Sequence, residues 1–320
     1  MNILVPLNNI KNIEPYACAG ADEFYMGFND PIWFDYFGEN SDINRMSGFR
    51  KDANSFDYNQ LINAIKTVKK HGKKAFVTFN ANTYSKRQID YIVSTYFSGL
   101  KEALVDGVII STVGLAKAAI KEGLNAVGST MLGVYNGDIA KYMFDLGINR
   151  IILPRDLSLD EIGSIVSSVP NADFEVFFMR NGCVFSDGYC LGTHVHGYGS
   201  ICGFSRFLST QFVTDDGSFE NIHDIRANSY LYNQGFHHDT CGMCALYRFN
   251  KMGISSLKIV GRADKPEGVL HDIELTHKNI EILKECRTEQ EYLEKMIFPS
   301  NSETQCLMGL SCYYPEVRFS

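Results

Sequence analysis

The chain has 320 residues, with 30 basic and 37 acidic side chains and a formal net charge of −7. An apolar share of 45% beside 21% charged residues is a globular balance, which excludes a disordered chain and a collagen-like fibre. This length suits two domains or one α/β barrel. The acidic excess argues against indiscriminate binding to nucleic acid or anionic membranes; charge alone disfavours nucleic acid as a partner without excluding it.

The opening Met-Asn-Ile-Leu-Val-Pro enters an apolar run with no basic segment ahead of it and no cleavage site. No uninterrupted apolar stretch reaches about 18 residues, so no membrane insertion is expected and the cytosol is the expected compartment. Candidate strands then follow at Ile3–Pro6, Glu23–Met26, Lys74–Phe79, Gly107–Ile110, Asn125–Gly128, Arg150–Leu153, Asp173–Phe178 and Ser256–Val260. Helical apolar spacing fills the intervals at Tyr58–His71, Lys86–Leu104, Gly114–Glu122, Asp138–Leu146 and Ser158–Val169. In the first of these, Leu61, Ile62, Ile65 and Val68 form the apolar face. Gly72, Gly123 and Gly147 each stand where a left-handed helix cap is expected, and Ser158 with Glu161 reads as a capping box.

Eight strands with intervening helices predict an α/β fold, a TIM-like (β/α)8 barrel, over residues 1–285. A long cysteine-rich insert, 179–253, separates strands seven and eight and reads as irregular. Glu267–Cys286 reads as a helix packed on the barrel, and 286–320 as a C-terminal helix and tail carrying Cys306 and Cys312. An aromatic cluster, Trp33, Phe34, Tyr36 and Phe37, falls in the loop after strand two and is expected to cover the barrel mouth.

Nine cysteines, an odd number without a secretory signal, suit metal ligation better than a disulfide framework. Five lie in the insert: Cys183, Cys190, Cys202, Cys241 and Cys244. Gly188 suits a turn that brings Cys183 and Cys190 together. Structural zinc sites usually present two close cysteine pairs, and here Cys241-Gly-Met-Cys244 is the one close pair, so the spacing favours an iron–sulfur cluster. The plainer alternative is a set of reduced, buried thiols packing as small apolar groups.

Glu175-Val-Phe-Phe-Met-Arg-Asn-Gly-Cys183, continued by Val-Phe-Ser-Asp-Gly-Tyr-Cys190, resembles the signature of the collagenase-like peptidase family U-32. Asp239-Thr-Cys241 and Ser255-Ser-Leu-Lys-Ile-Val-Gly-Arg262 are similar to its closing block, and Ile3–Pro6 with Ala19–Asp22 to its first βα unit. Ile152-Leu-Pro-Arg-Asp-Leu-Ser-Leu-Asp-Glu161 is similar to its sixth. The resemblance implies an iron–sulfur-dependent oxidoreductase: several members resemble oxygen-independent hydroxylases of ubiquinone precursors or of tRNA and ribosomal RNA bases. Prephenate is the implicated oxygen source in such relatives. It further implies a [4Fe–4S] cluster on Cys183, Cys190, Cys202 and Cys241, with Cys244 as a substitute for Cys241 or free for a second function. The substrate is then small or polymer-attached. Relatives of about this size also resemble hydroxylase subunits that work in pairs, so a homologous partner subunit, with this chain only carrying a cluster, is the alternative to its own turnover. A collagenase-like peptidase is a third reading.

Three departures stand out. Met179-Arg-Asn-Gly182 replaces the family's His-Gly-Ala-Leu, Val260 its strand-eight glutamate, and Met131 a glutamine after strand five. In a barrel the C-terminal strand ends build the site. Those ends supply Asn80, Asn82, Ser129, Thr130 and Arg155, with Glu175 on strand seven and Arg262 after strand eight. Arg155 and Arg262 are candidate forks for a carboxylate or phosphate, and Glu175 a candidate base. The plainer readings pair Arg155 with Asp156 or Glu161 and make Glu175 an internal anchor. His194, His196, His237 and His238 are candidate proton or cluster partners beside the thiols, or solvated loop residues. The His-Glu-x-x-His and Gly-x-Ser-x-Gly motifs of hydrolases are missing, as are dinucleotide and phosphate-loop signatures.

Overall fold

The computed structural model describes residues 1–38, 41–45, 51–183, 187, 194–195, 199–200, 211–213, 219–221, 240–299, 306 and 312–319. Eight parallel strands close a barrel: β1 (Asn2–Pro6), β2 (Glu23–Met26), β3 (Lys74–Phe79), β4 (Gly107–Ile110), β5 (Ala126–Gly128), β6 (Arg150–Ile152), β7 (Asp173–Met179) and β12 (Ser256–Ile259). Their order around the cylinder is β1-β12-β7-β6-β5-β4-β3-β2. Both faces of each strand are covered, one by the barrel interior and one by helices, which is why these strands read as continuous apolar runs. Between β7 and β12 the insert holds two short antiparallel pairs, β8 (His194–Val195) with β9 (Gly199–Ser200) and β10 (Gln211–Val213) with β11 (Phe219–Asn221).

The expected strands and five expected helices are present, with ends moved by a residue or two. The helices are α3 (Tyr58–Lys70), α4 (Lys86–Glu102), α5 (Val113–Lys121), α6 (Gly137–Asp145) and α7 (Leu159–Ser168). On α3 the buried residues are Leu61, Ala64, Ile65 and Val68, a stripe at helical spacing. Capping boxes open α3, α4 and α7, the last through Ser158 and Glu161 as the sequence implies. Gly72, at φ +67°, ends the turn after α3 in the left-handed region, where a side chain is strained.

Three elements add to or correct the sequence reading. Ile13–Ala19 is a helix, α1. Pro31–Phe37 is a helix, α2, and not a loop: the Asp30 side chain accepts from the Ile32 amide, and Pro31 occupies the first turn, where its missing N–H costs nothing. Its Trp33 is fully buried, donating to the Ser41 carbonyl at 2.8 Å and packing on Phe37. The aromatic cluster is therefore partly core. Within the segment read as irregular, Leu246–Met252 forms a helix closed by Gly253 at φ +79°. Among the described residues no helix is long and apolar enough to cross a membrane.

The C-terminal part packs back on the barrel. Pro266–Lys284 lies against α1 and β1, and Tyr292, on the helix Glu289–Lys295, donates its hydroxyl to the Met243 carbonyl at 2.8 Å. Beyond it, Cys312 pairs with Cys241 in a parallel bridge, and Cys241 pairs antiparallel with Met179 at the end of β7. The tail thus extends the wall of the mouth beside β7.

Candidate active site at the barrel mouth

Alternation along the strands turns Glu23 and Tyr25, Phe76 and Thr78, Glu175 and Phe177, and Ser256 and Lys258 toward one another across the barrel. The deeper layer is an ionic cluster. Arg150 donates to Glu23 at 3.0 Å and to Glu175 at 2.9 Å, and Lys258 Nζ donates to Glu175 at 2.7 Å. Ser256 and Asn2 complete Glu23, each at 2.9 Å. Arg150 also lies over Phe76 at 4.7 Å and Lys258 over Tyr25 at 4.1 Å. Glu175 is wholly buried and bonded by both cations, so its carboxylate is already spent on partners. Burial holds Lys258 below the usual lysine value, the Glu175 charge opposing that shift.

Above this layer, Arg155 Nε donates to Asp187 Oδ2 at 2.7 Å, and its guanidinium lies 4.1 Å over the Phe177 ring. Arg45 reaches the other Asp187 oxygen at 3.3 Å, and Thr130 donates to Asp187 at 3.2 Å. Asp187 is 2% exposed. Burial alone would raise its pKa, but Arg155 and Arg45 outweigh burial and hold it below the ordinary carboxylate value. The local pairing considered for Arg155 is not formed: Asp156 accepts from the Tyr135 hydroxyl at 3.1 Å, and Glu161 closes the α7 capping box.

Arg262 is different. Its Nη1 donates to Asn54 Oδ1 at 2.6 Å and to Thr78 Oγ1 at 3.3 Å, and its Nη2 to the Arg45 carbonyl at 3.4 Å. All of these are neutral oxygens, and among the described residues no carboxylate pairs with it. Burial, with Arg45 adding and Tyr25 opposing, holds its pKa below the usual guanidinium value. A half-buried guanidinium that donates only to neutral oxygens is a ready binding group for an anionic ligand. Gly27 makes the clamp possible: a Cβ there would lie 2.0 Å from Asn54 Oδ1 and 2.6 Å from Arg262 Nη1.

The chain leaves β7 through two successive left-handed residues, Arg180 at φ +66° and Asn181 at φ +49°. Such strain persists only where neighbours enforce it. Here the Arg180 amide donates to the Thr240 carbonyl at 2.7 Å, its guanidinium pairs with Asp272, and Asn181 Nδ2 donates to Asp264 at 2.9 Å. This turn delivers Cys183, which is half-buried and a free thiol. Cys241 is buried, and burial pushes its thiol well up. Tyr313 joins the two segments: its amide donates to the Cys241 carbonyl at 3.0 Å and its hydroxyl to the Arg180 carbonyl, three residues before Cys183. Free thiols carried on these two joined segments are donors of the kind an iron–sulfur centre takes, and among the described residues no three such donors converge. Cys190 and Cys202 lie outside the described residues, as do His196, His237, His238 and the side chain of His194.

Of the remaining expected mouth residues, Asn80 accepts from the Arg45 amide at 3.1 Å, Ser129 caps the turn Thr130–Leu132, and Asn82 is exposed. Sequence reasoning missed Arg45, Asp187, Arg150 and Lys258. The signal for the last two was available: a charged residue inside a short apolar strand of a barrel must find a partner across it.

Comparison with known proteins gives consistent relatives. The tRNA hydroxylation protein P of Helicobacter pylori (strain ATCC 700392 / 26695) is 25% identical over 272 residues, covering 82% of this chain and 60% of that protein. The Escherichia coli (strain K12) protein of the same name is 26% identical, covering 81% of this chain and 63% of its own length. The 23S rRNA 5-hydroxycytidine C2501 synthase of E. coli is 25% identical over 60% of this chain and 28% of its own. The chain thus spans about three fifths of the first two relatives. A solved U32 peptidase structure aligns with a TM-score of 0.44 at 13% identity, over 56% of this chain and 69% of that one. The model of peptidase family U32 matches residues 8–304, nearly the whole barrel with its insert, and the chain belongs to that family.

Proposed function

We propose that the chain is an oxidoreductase that hydroxylates a nucleobase of RNA without molecular oxygen, using a [4Fe–4S] cluster held by Cys183, Cys190, Cys202 and Cys241. The observation that carries this reading is the relatives' likeness across 81–82% of the chain, their names being those of tRNA hydroxylation proteins. A cluster held by these four thiolates would supply one-electron chemistry.

This chain's own residues do the rest. Arg262, held by Asn54 and Thr78, binds an anionic group of the substrate or of a co-substrate, and Tyr25 and Phe177 give the mouth aromatic walls. Arg155 keeps Asp187, and with it the start of the insert, closed against the rim. Glu175 is a positioning residue in this scheme: bonded to Arg150 through one oxygen and to Lys258 through the other, it fixes the ammonium over Tyr25. A peptidase reading has no support in these positions, since thiols held by iron are not free to attack an amide.

The test is anaerobic purification with iron and sulfide analysis, joined to mass spectrometry of RNA nucleosides from cells with and without the chain. Stoichiometric iron and a nucleoside gaining one oxygen atom are expected. A colourless, iron-free protein that keeps its fold, or peptide cleavage surviving Cys183→Ala and Cys190→Ala, overturns the reading.

A further inference from the structure

Two features have no work inside the mouth: the rings that α2 leaves exposed, and Asn82 in the loop after β3. They lie on neighbouring elements. Tyr36, 56% exposed, stands 5.4 Å from Tyr91 on α4, and Tyr91 stands 5.4 Å from Phe37. Beneath them Trp33 packs on Phe37 at 4.5 Å and on Tyr91 at 5.9 Å, so a buried ring holds the outer ones in place. Ile32, one turn before Tyr36, is 54% exposed. Arg87, exposed in the first turn of α4, lies 5.5 Å over the Phe37 ring. Among the described residues no carboxylate pairs with it, whereas its neighbour Lys86 is held by Asp90 at 2.8 Å.

Three links tie this patch to the mouth. Asp30, the cap of α2, follows Gly27 of the Arg262 clamp by three residues. Ser41 accepts from Trp33 at 2.8 Å and from Gln88 of α4 at 2.6 Å, and four residues later Arg45 is bound to Asn80 and Asp187. At ~3.5 Å per residue, that stretch spans at most about 14 Å. Asn82 and Thr83, both exposed, fill the loop between Asn80 and α4.

We propose that Tyr36, Tyr91, Phe37 and Arg87 form a stacking platform for single-stranded RNA, on which an unpaired base flanking the target nucleotide rests while the target enters the mouth.

The proposal rests on the RNA reading above and says where the strand lies. Every base has a π-face, so rings held at a surface take up unstacked bases of any sequence. A base-paired helix keeps its faces stacked inside, so the platform selects unpaired nucleotides. With a net charge of −7 the chain has no general attraction for phosphate, and its hold on a strand must come from rings and a local cation. Arg87 supplies that cation: its guanidinium lies on a ring and has donors free for a phosphate oxygen. The distance also suits a flanking base. About 14 Å corresponds to about four nucleotides at ~3.4 Å per stacked base, so one loop-sized strand reaches both mouth and platform. The exposed amide of Asn82 and hydroxyl of Thr83 face the path between them.

Fluorescence anisotropy of the full-length protein with a fluorescein-labelled, mixed-sequence single-stranded RNA of about 12 nucleotides tests this. Tyr36→Ala is expected to weaken binding by about 5- to 100-fold, the loss of one stacked base, while Tyr36→Phe keeps wild-type affinity. Arg87→Gln weakens binding and lowers the slope of log affinity against log salt by about 0.7, one phosphate's share on a single strand. Tyr142→Ala, at a tyrosine 53% exposed on α6, binds as the wild type does. Melting curves identify a variant that fails to fold; should Tyr36→Ala be one, Arg87→Gln decides. Wild-type affinity in the deciding variant, or an equal loss in Tyr142→Ala, overturns the proposal. So does a concentration-dependent dimer that Tyr36→Ala abolishes without changing RNA binding, because a second copy of the chain then covers the patch. Mass spectrometry of RNA nucleosides separates the two readings. Binding through Tyr36 with no nucleoside gaining oxygen defeats hydroxylation and leaves the platform intact. Equal oxygen gain with the wild type and with a Tyr36→Ala variant of unchanged affinity defeats the platform and leaves hydroxylation intact.

Discussion

Arg155 donates to Asp187 at 2.7 Å across 32 positions of sequence, and both side chains are almost fully enclosed. Asp187 is shared by a second guanidinium, Arg45, so removing its charge takes a carboxylate from two cations at once. Asp187→Asn is expected to cost about 3–5 kcal/mol of unfolding free energy, the range for breaking a buried pair. Urea denaturation measures it; a loss below about 1 kcal/mol, typical of exposed pairs, means that the pair is solvated.

The same carboxyl sets a pH dependence. Burial raises and the two arginines lower its pKa, with a net value below that of the unfolded chain. Stability from this group is complete above the unfolded value, about 3.9, and disappears as the pH falls through the lower folded value. Unfolding midpoints of the wild type should therefore drop below about pH 4 through a component that Asp187→Asn lacks.

In the barrel interior, Glu175→Gln leaves Arg150 with Glu23 and takes from Lys258 the carboxylate it pairs with. A destabilisation of about 3–5 kcal/mol is expected, and the added change Lys258→Met should recover part of it because an unpaired buried cation is removed. A double-mutant cycle by chemical denaturation reads the coupling, and strict additivity contradicts the described contact.

Gly27→Ala forces its Cβ against Asn54 and Arg262. Overpacking of this kind costs about 1–3 kcal/mol, and the Arg262 fork must move. Calorimetry should show the lowered melting temperature, and substrate titration a raised KM; an unchanged KM with the lowered melting temperature removes Arg262 from substrate binding.

Tyr314 donates its hydroxyl to the Phe177 carbonyl at 2.7 Å inside the protein. Tyr314→Phe orphans that carbonyl at a cost of about 1–3 kcal/mol, while Tyr36→Phe on the exposed face of α2 should change stability by less than about 0.5 kcal/mol. Equal effects in thermal melts contradict the assignment.

The barrel was legible because each strand is enclosed on both faces and so reads as an apolar run bounded by polar or glycine positions. Helix α2 escaped notice because Ile-Trp-Phe-Asp-Tyr-Phe has no polar face to give it a period; its signal was local, Asp30 followed by proline. Leu246–Met252 was hidden at the end of a long irregular stretch, although Gly253 marked its close. At the mouth, Arg155 and Arg262 could be named from strand ends alone. Asp187 could not, since an aspartate inside the six-residue spacer between Cys183 and Cys190 looks like any solvated loop residue. The pairing of Cys312 with Cys241 was equally hidden, because the bridge spans some 70 residues and sequence spacing carries no trace of it.

Because Cys241 is walled on one side by Cys312, the segment that completes this face leaves the ribosome after every barrel strand has been made. Domains fold broadly in the order of synthesis, so a closed cylinder can exist while its rim beside β7 is still open. A chain cut short before residue 312 would therefore keep all eight barrel strands and lack the residue that lines Cys241 on this side.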